Sequence, residues 1–193
     1  MELLRGVCSD RRGINLETLE QVIALAAEIA QEGREGRKIG TLFVVSDADA
    51  VLKRSTCLML DPLGCHPDAL KRLDDPNLWE TVKELAQLDG AFVVSDNGIV
   101  LSACRYINAS SEGVRLPSGL GSRHMAAASI TQQTDAVAVV VSESSIVRVF
   151  DDGEIVAEIL PEPRLPTRYR VHINGPYSVE ADRQITVVYK AEP

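Results

Sequence analysis

Apolar residues recur at helical spacing near the start of the chain. Leu16, Leu19, Ile23, Ala26, Ala27 and Ala30 fall three or four positions apart, which predicts a helix over 15–32 with one apolar face. Asn15 supplies a capping oxygen, and Gly33 and Gly36 end the element. The pattern then becomes continuous. Ile39, Leu42, Phe43, Val44 and Val45 predict a buried strand within 38–46. Pro62, Gly64 and Pro67 make 48–75 an irregular stretch holding one short strand near Thr56–Leu60. Asp75-Pro76-Asn77 opens a second helix, over 77–87, with Leu78, Trp79, Val82 and Leu85 facing inward.

Downstream, the alternation of apolar runs with turn residues predicts two hairpins. In the first, Ala91–Ser95 and Ile99–Cys104 flank Asp96-Asn97-Gly98, where Asn and Gly tolerate positive φ. In the second, Ile146–Phe150 and Glu154–Ile159 flank Asp151-Asp152-Gly153. Between them lie a polar, glycine-rich loop over 109–121, a helix over 122–132 with Ser122 near its cap, and a buried strand over 135–142. Strands paired as hairpins and interspersed with helices predict an α/β (α+β) domain, a mixed central sheet flanked by helices. The domain is expected to span residues 1–160. Residues 161–193, carrying Pro163, Pro166 and Pro176 and a strand at Ile185–Tyr189, form an extension packed on it or appended to it.

Composition narrows the picture. At 193 residues, 45% of them hydrophobic and 25% charged, the chain suits one folded domain with a sizeable core. Aromatics are only 4%, so the core is built from Val, Ile, Leu and Ala. A net charge of −8 argues against nucleic acid or an anionic membrane as partner. It leaves room for a nucleotide held by a few local donors and a metal ion. Cys8, Cys57, Cys65 and Cys104 form no paired short spacing, so neither a disulfide framework nor a zinc site is expected, although Cys57, Cys65 and His66 lie near one another. Met1 is followed by Glu2, Arg5 and Asp10 rather than an apolar leader. The apolar run 136–141 falls far below the roughly 18–20 residues of a membrane span. A cytoplasmic protein is expected.

Three places carry candidate chemistry. Asp89-Gly90-Ala91 sits where a helix gives way to a strand. A carboxylate there can reach a metal or a hydroxyl, and the same dipeptide serves as an ordinary turn. Gly119-Leu120-Gly121-Ser122-Arg123-His124 enters a helix, whose free N–H groups and positive dipole end suit an anion; a capped helix with a solvated Arg is the structural counterpart. Ser142-Glu143 ends an apolar strand, where a ligand can sit or the chain simply leaves the core.

Together these segments resemble the diadenylate cyclase (DAC) domain family over roughly residues 16–160. That family shows Asp-Gly-Ala, then Gly-Thr-Arg-His-Arg opening a helix, then Ser-Glu after the next strand. Here the matching text is DGA at 89–91, GSRHMAA at 121–127 and TDAVAVVVSE at 134–143, with GTLFVVSD (40–47) and VRVFDDGEI (147–155) in the same order. The resemblance implies that Asp89 binds a catalytic Mg²⁺ or Mn²⁺ and helps activate a ribose 3′-hydroxyl. It implies that Gly90 and Ala91 line the nucleotide, that Gly121, Ser122, Arg123 and His124 hold phosphates, and that Ser142 and Glu143 complete the phosphate and metal shell. Tyr106 falls where the family places an apolar residue against adenine. The implied reaction joins two ATP into cyclic di-AMP with release of two pyrophosphates, one ATP per subunit of a head-to-head homodimer. Met125 departs from the third residue of Arg-His-Arg, Leu88 from a frequent His, and Ser144 from an occasional second acid. The archaeal branch is the nearer resemblance. With one phosphate donor missing, a nucleotide-binding sensor without turnover is the alternative.

Overall fold

Apolar runs rich in Val become strands covered on both faces. In the computed structural model, which describes residues 13–110, 112–160, 172–180 and 184–190, β1 (Thr41–Val45) and β5 (Val137–Val141) are buried at every position. Met1–Asp10, Pro161, Pro163 and Pro166, named above, lie outside the described residues. The other strands are β2 (Ser55–Cys57), β3 (Ala91–Val94), β4 (Val100–Ile107), β6 (Val147–Asp151), β7 (Glu154–Leu160), β8 (Tyr177–Glu180) and β9 (Ile185–Tyr189). They form one sheet in the order β2-β4-β3-β1-β5-β6-β7-β9-β8. Only β1 and β3 pair in parallel; each other neighbour is antiparallel, which makes the sheet mixed.

Helices cover both faces. α1 (Leu16–Glu32) and α3 (Pro76–Leu85) pack on one side, where Leu19, Val22, Leu78 and Val82 meet Phe43, Phe92 and Val139. Phe43 and Phe92 stack with centroids 5.0 Å apart across the parallel pair. α4 (Ser122–Gln133) and α2 (Ala48–Lys53) cover the other side, where Ala127, Ala128, Ile130 and Val51 meet Leu42, Val44, Val93 and Val140. Alternate strand residues therefore serve alternate layers, as the pleat requires.

Caps set the helix starts. Oδ1 of Asn15 accepts from the N–H groups of Glu17 and Thr18, and Asp75 accepts from that of Asn77. Several elements differ from the sequence expectation: β8 is not foreseen, and β4 runs on to Ile107. α2 forms inside the stretch read as irregular. The short strand covers Ser55–Cys57 rather than Thr56–Leu60, because Leu58, Met59 and Leu60 turn outward. β9 pairs with β7, and its Ile185 and Val187 join the core beside α1.

Candidate active site

The first turn of α4 begins with a glycine. Gly121 is the N-cap residue and, as a glycine, offers no side chain to cap the helix. The opening N–H groups of such a turn have no intrahelical partner and point along the positive end of the helix dipole. Ser122 and Arg123 occupy that turn.

Arg123 draws two distant carboxylates together. Its Nη2 lies 3.7 Å from Oδ1 of Asp89, and its Nη1 lies 3.3 Å from Oε1 of Glu143. Asp89 precedes β3, Glu143 follows β5, and Arg123 opens α4, so three elements converge on one point. Asp89 is 94% exposed and Glu143 70%, so both carboxylates stand open to solvent. Gly40, just before β1, makes room for this meeting: a Cβ there would come within 2.7 Å of Arg123 Nη1 and 3.3 Å of Glu143 Cγ.

Two neighbouring cavities share this point. The larger, about 400 Å³, is lined by Asp89, Gly90, Ala91, Tyr106, Ser122 and Arg123, with Leu42, Leu58, Arg105, Ile107 and Ala126 supplying mostly apolar wall. The smaller, about 220 Å³, is lined by Gly119, Gly121, Ser122, Arg123, His124, Ser142 and Glu143 together with the end of β5. Asp89, Gly90, Ala91, Tyr106, Gly121, Ser122, Arg123, His124, Ser142 and Glu143 therefore each border one cavity or the other. They lie at the C-terminal ends of β4 and β5 but at the N-terminal ends of the parallel pair β1 and β3. The switch-point rule for parallel sheets does not locate this site; the antiparallel neighbours do.

A close backbone approach fixes Gly90 as glycine. Its φ is +108°, and a Cβ would sit 2.5 Å from the carbonyl carbon of Cys104. Cys104 itself has φ +54°, and the β3–β4 register shifts between Ala91 and Val93. This irregularity lies close to Asp89 at the start of β3.

His124 is placed differently from its neighbours. It is buried, and its Nε2 faces Nη1 of Arg148 at 3.2 Å. Burial first, and then the charge of Arg148, push its pKa down to about 4. Ser142 is held in a tight turn: its Oγ accepts from the Oγ of Ser144 at 2.9 Å, and its N–H donates to the carbonyl of Ile146. Tyr106 presents a ring that is 60% exposed on the wall of the larger cavity.

Residues not foreseen are Gly40, Leu42, Leu58, Arg105, Ile107 and Ala126. Arg105 donates through Nε to Ser55 Oγ and through Nη2 to the carbonyls of Leu52 and Ser55, which clamps the α2–β2 corner to β4. The signal for Gly40 was a glycine directly before a wholly buried strand.

Residues 28–155 match the family model described as DAC, DisA bacterial checkpoint controller nucleotide-binding. The chain belongs to that family. The DAC match contains Asp89, Arg123 and Glu143, the three groups that meet. A diadenylate cyclase of Methanocaldococcus jannaschii is 46% identical over 149 residues, covering 77% of this chain and 47% of the relative. A diadenylate cyclase of Haloferax volcanii is 42% identical over 145 residues, covering 75% of this chain and 53% of the relative. The chain thus spans about half the length of the curated relatives it matches. A crystal structure of a hypothetical membrane-spanning protein from Bacillus cereus shares the fold, with a TM-score of 0.54 at 21% identity over 72% of this chain and 62% of that one. Among the described residues, no helix of this DAC chain is long and apolar enough to cross a membrane.

Proposed function

We propose that the chain is a diadenylate cyclase domain that condenses two ATP into cyclic di-AMP and two pyrophosphates. The observation that carries the reading is the meeting of Asp89, Glu143 and Arg123 at the uncapped start of α4, beside a cleft of nucleotide size.

The cleft divides the work. Leu58, Ile107 and Ala126 offer apolar wall for adenine, and the open ring of Tyr106 offers a stacking face. The first-turn N–H groups of α4, the Ser122 hydroxyl and the Arg123 fork suit the triphosphate. Ser142 borders the same phosphate space.

A divalent cation fits the donor set. Among the described residues no cage of three or more acidic, His or Cys ligands exists. Mg²⁺ is ordinarily held by one or two carboxylates together with phosphate oxygens and water, and Asp89 and Glu143 are two exposed carboxylates sharing one arginine. They would hold Mg²⁺ or Mn²⁺. The ion, when bound, supplies charge neutralisation at the phosphates and a lower hydroxyl pKa.

In the reaction each ribose 3′-hydroxyl gives up its proton to solvent and its oxygen bonds to the α-phosphorus of the other ATP, as the bond from that phosphorus to pyrophosphate breaks. Each domain holds one ATP, so two clefts must face each other across a two-fold axis. A product with two-fold symmetry calls for a C₂ homodimer. In-line placement of the two nucleotides supplies most of the advantage in such a transfer. On this reading residues 1–160 are the catalytic unit and the later segment is an extension.

Met125 stands where the family's second arginine would, which favours a second reading: a domain that binds ATP or cyclic di-AMP without turnover. Incubation of purified protein with ATP and Mn²⁺ or Mg²⁺, followed by mass spectrometry, separates them. Cyclic di-AMP supports the cyclase; bound nucleotide with no product supports the sensor.

A further inference from the structure

The sheet face beneath α4 is largely apolar but carries a buried charged pair. Arg148 and Glu158 are cross-strand partners in the β6–β7 hairpin, 2% and 0% exposed, with Nε donating to Oε1 at 2.6 Å. Taking such ions from water costs several kcal/mol each, and apolar residues of equal volume often serve stability as well or better. Packing alone therefore does not explain the pair.

Arg148 has donors to spare. Nη1 reaches Nε2 of His124 at 3.2 Å, and Nη2 reaches Nδ1 of His172 at 3.3 Å. Oε2 of Glu158 accepts the backbone N–H groups of His172 and Ile173. A guanidinium has no acceptor, so Nε2 of His124 must accept and the ring proton must sit on Nδ1. The imidazole tilts against Phe150, with centroids 6.1 Å apart. Its Nδ1 is buried with no hydrogen-bond partner among the described residues, in a side chain bordering the same small cavity as Ser122, Arg123 and Glu143. Glu158 and His172 both fall beyond residues 28–155 of the family match.

We propose that Arg148 is a positioning residue for the active site: it locks His124 as the Nδ1–H tautomer, and Glu158 with the segment at His172 holds Arg148 in place. The segment after the family stretch is then part of the site's architecture. It orients the ring that follows Arg123 on the first turn of α4. The lock deepens the cyclase reading and rests on it.

Two readouts keep the two claims apart. The chain has three histidines, so the ¹⁵N spectrum of histidine-labelled full-length protein is sparse and needs no substrate. The lock requires His124 to carry its proton on Nδ1 from pH 6 to 8. A ring protonated on Nε2 overturns the proposal whatever the activity. The second readout is the Arg148→Met/Glu158→Gln double variant, which removes both buried charges together. The expected result is a kcat lower by roughly tenfold or more, ATP affinity largely retained, and His124 spread over both tautomers. Unchanged kcat with an unchanged His124 spectrum overturns the proposal. If that variant does not fold, Arg148→Lys, which keeps the charge but loses the fork, is read by the same criteria. Absence of turnover in the wild-type protein counts against the cyclase reading alone, and the tautomer still decides the lock.

Discussion

The guanidinium of Arg123 donates to the carboxylate of Glu143 at 3.3 Å, tying the first turn of α4 to the end of β5. The two residues are 20 positions apart, and the rest of α4 and all of β5 lie between them. On the proposed function, a nucleotide entering the cleft would offer Arg123 phosphate oxygens in exchange for this contact.

Removing that side chain should weaken nucleotide binding. For Arg123→Ala the expected loss of ATP affinity is about 1.5–3 kcal/mol, the range for a charge-assisted hydrogen bond. Isothermal titration measures it. Unchanged affinity would remove Arg123 from the binding site.

Two glycines of the cleft should respond in opposite ways. At Gly90 the clash is with backbone and φ is positive, so Gly90→Ala should lower stability by about 1–3 kcal/mol in urea unfolding. At Gly40 the nearest atom is the far end of the Arg123 side chain, which can swing away. Gly40→Ala should therefore leave the unfolding midpoint nearly unchanged and weaken ATP binding. A Gly40→Ala protein that binds ATP normally would show that the close fit around Arg123 has no role.

The buried imidazole gives a pH signature. His124 has a folded-state pKa near 4, below the value of about 6.5 for an unfolded chain. Its neutral form thus contributes stability that is fully present above pH 6.5 and is lost as pH falls toward 4. Arg148, His172 and Arg123 face the ring and oppose its protonation, and Glu158 favours it. Urea midpoints of wild type and His124→Gln between pH 7 and pH 5 should converge as the pH drops. Parallel pH dependence in the two proteins would show that His124 does not titrate with folding.

Most of the scaffold could be read from the residue pattern. Asn15 and Asp75 mark helix starts because their side chains have a single local task, and Asn97-Gly98 marks a turn because few residues accept positive φ. Those signals are local, and the fold preserves them. Leu58-Met59-Leu60 misled the reading because apolarity predicts burial, and here the segment lies exposed beside the cleft, with Met59 98% exposed. α2 escaped because six residues are too few for a period to show. The site was legible as three separate motifs. What joins them was not: the space at Gly40, the clamp of Arg105 on Ser55, and the burial of Arg148 with Glu158. Charged residues on a hairpin read as a solvated face until α4 is known to lie on top of them.

Turnover by wild type and Asp89→Asn, assayed side by side with ATP and Mn²⁺ or Mg²⁺, tests the proposed role of Asp89 most directly. The expected result is cyclic di-AMP from the wild-type protein and none from Asp89→Asn, with ATP binding partly retained in the variant. Equal product from both proteins, or none from a wild type that binds ATP with either metal, would contradict it.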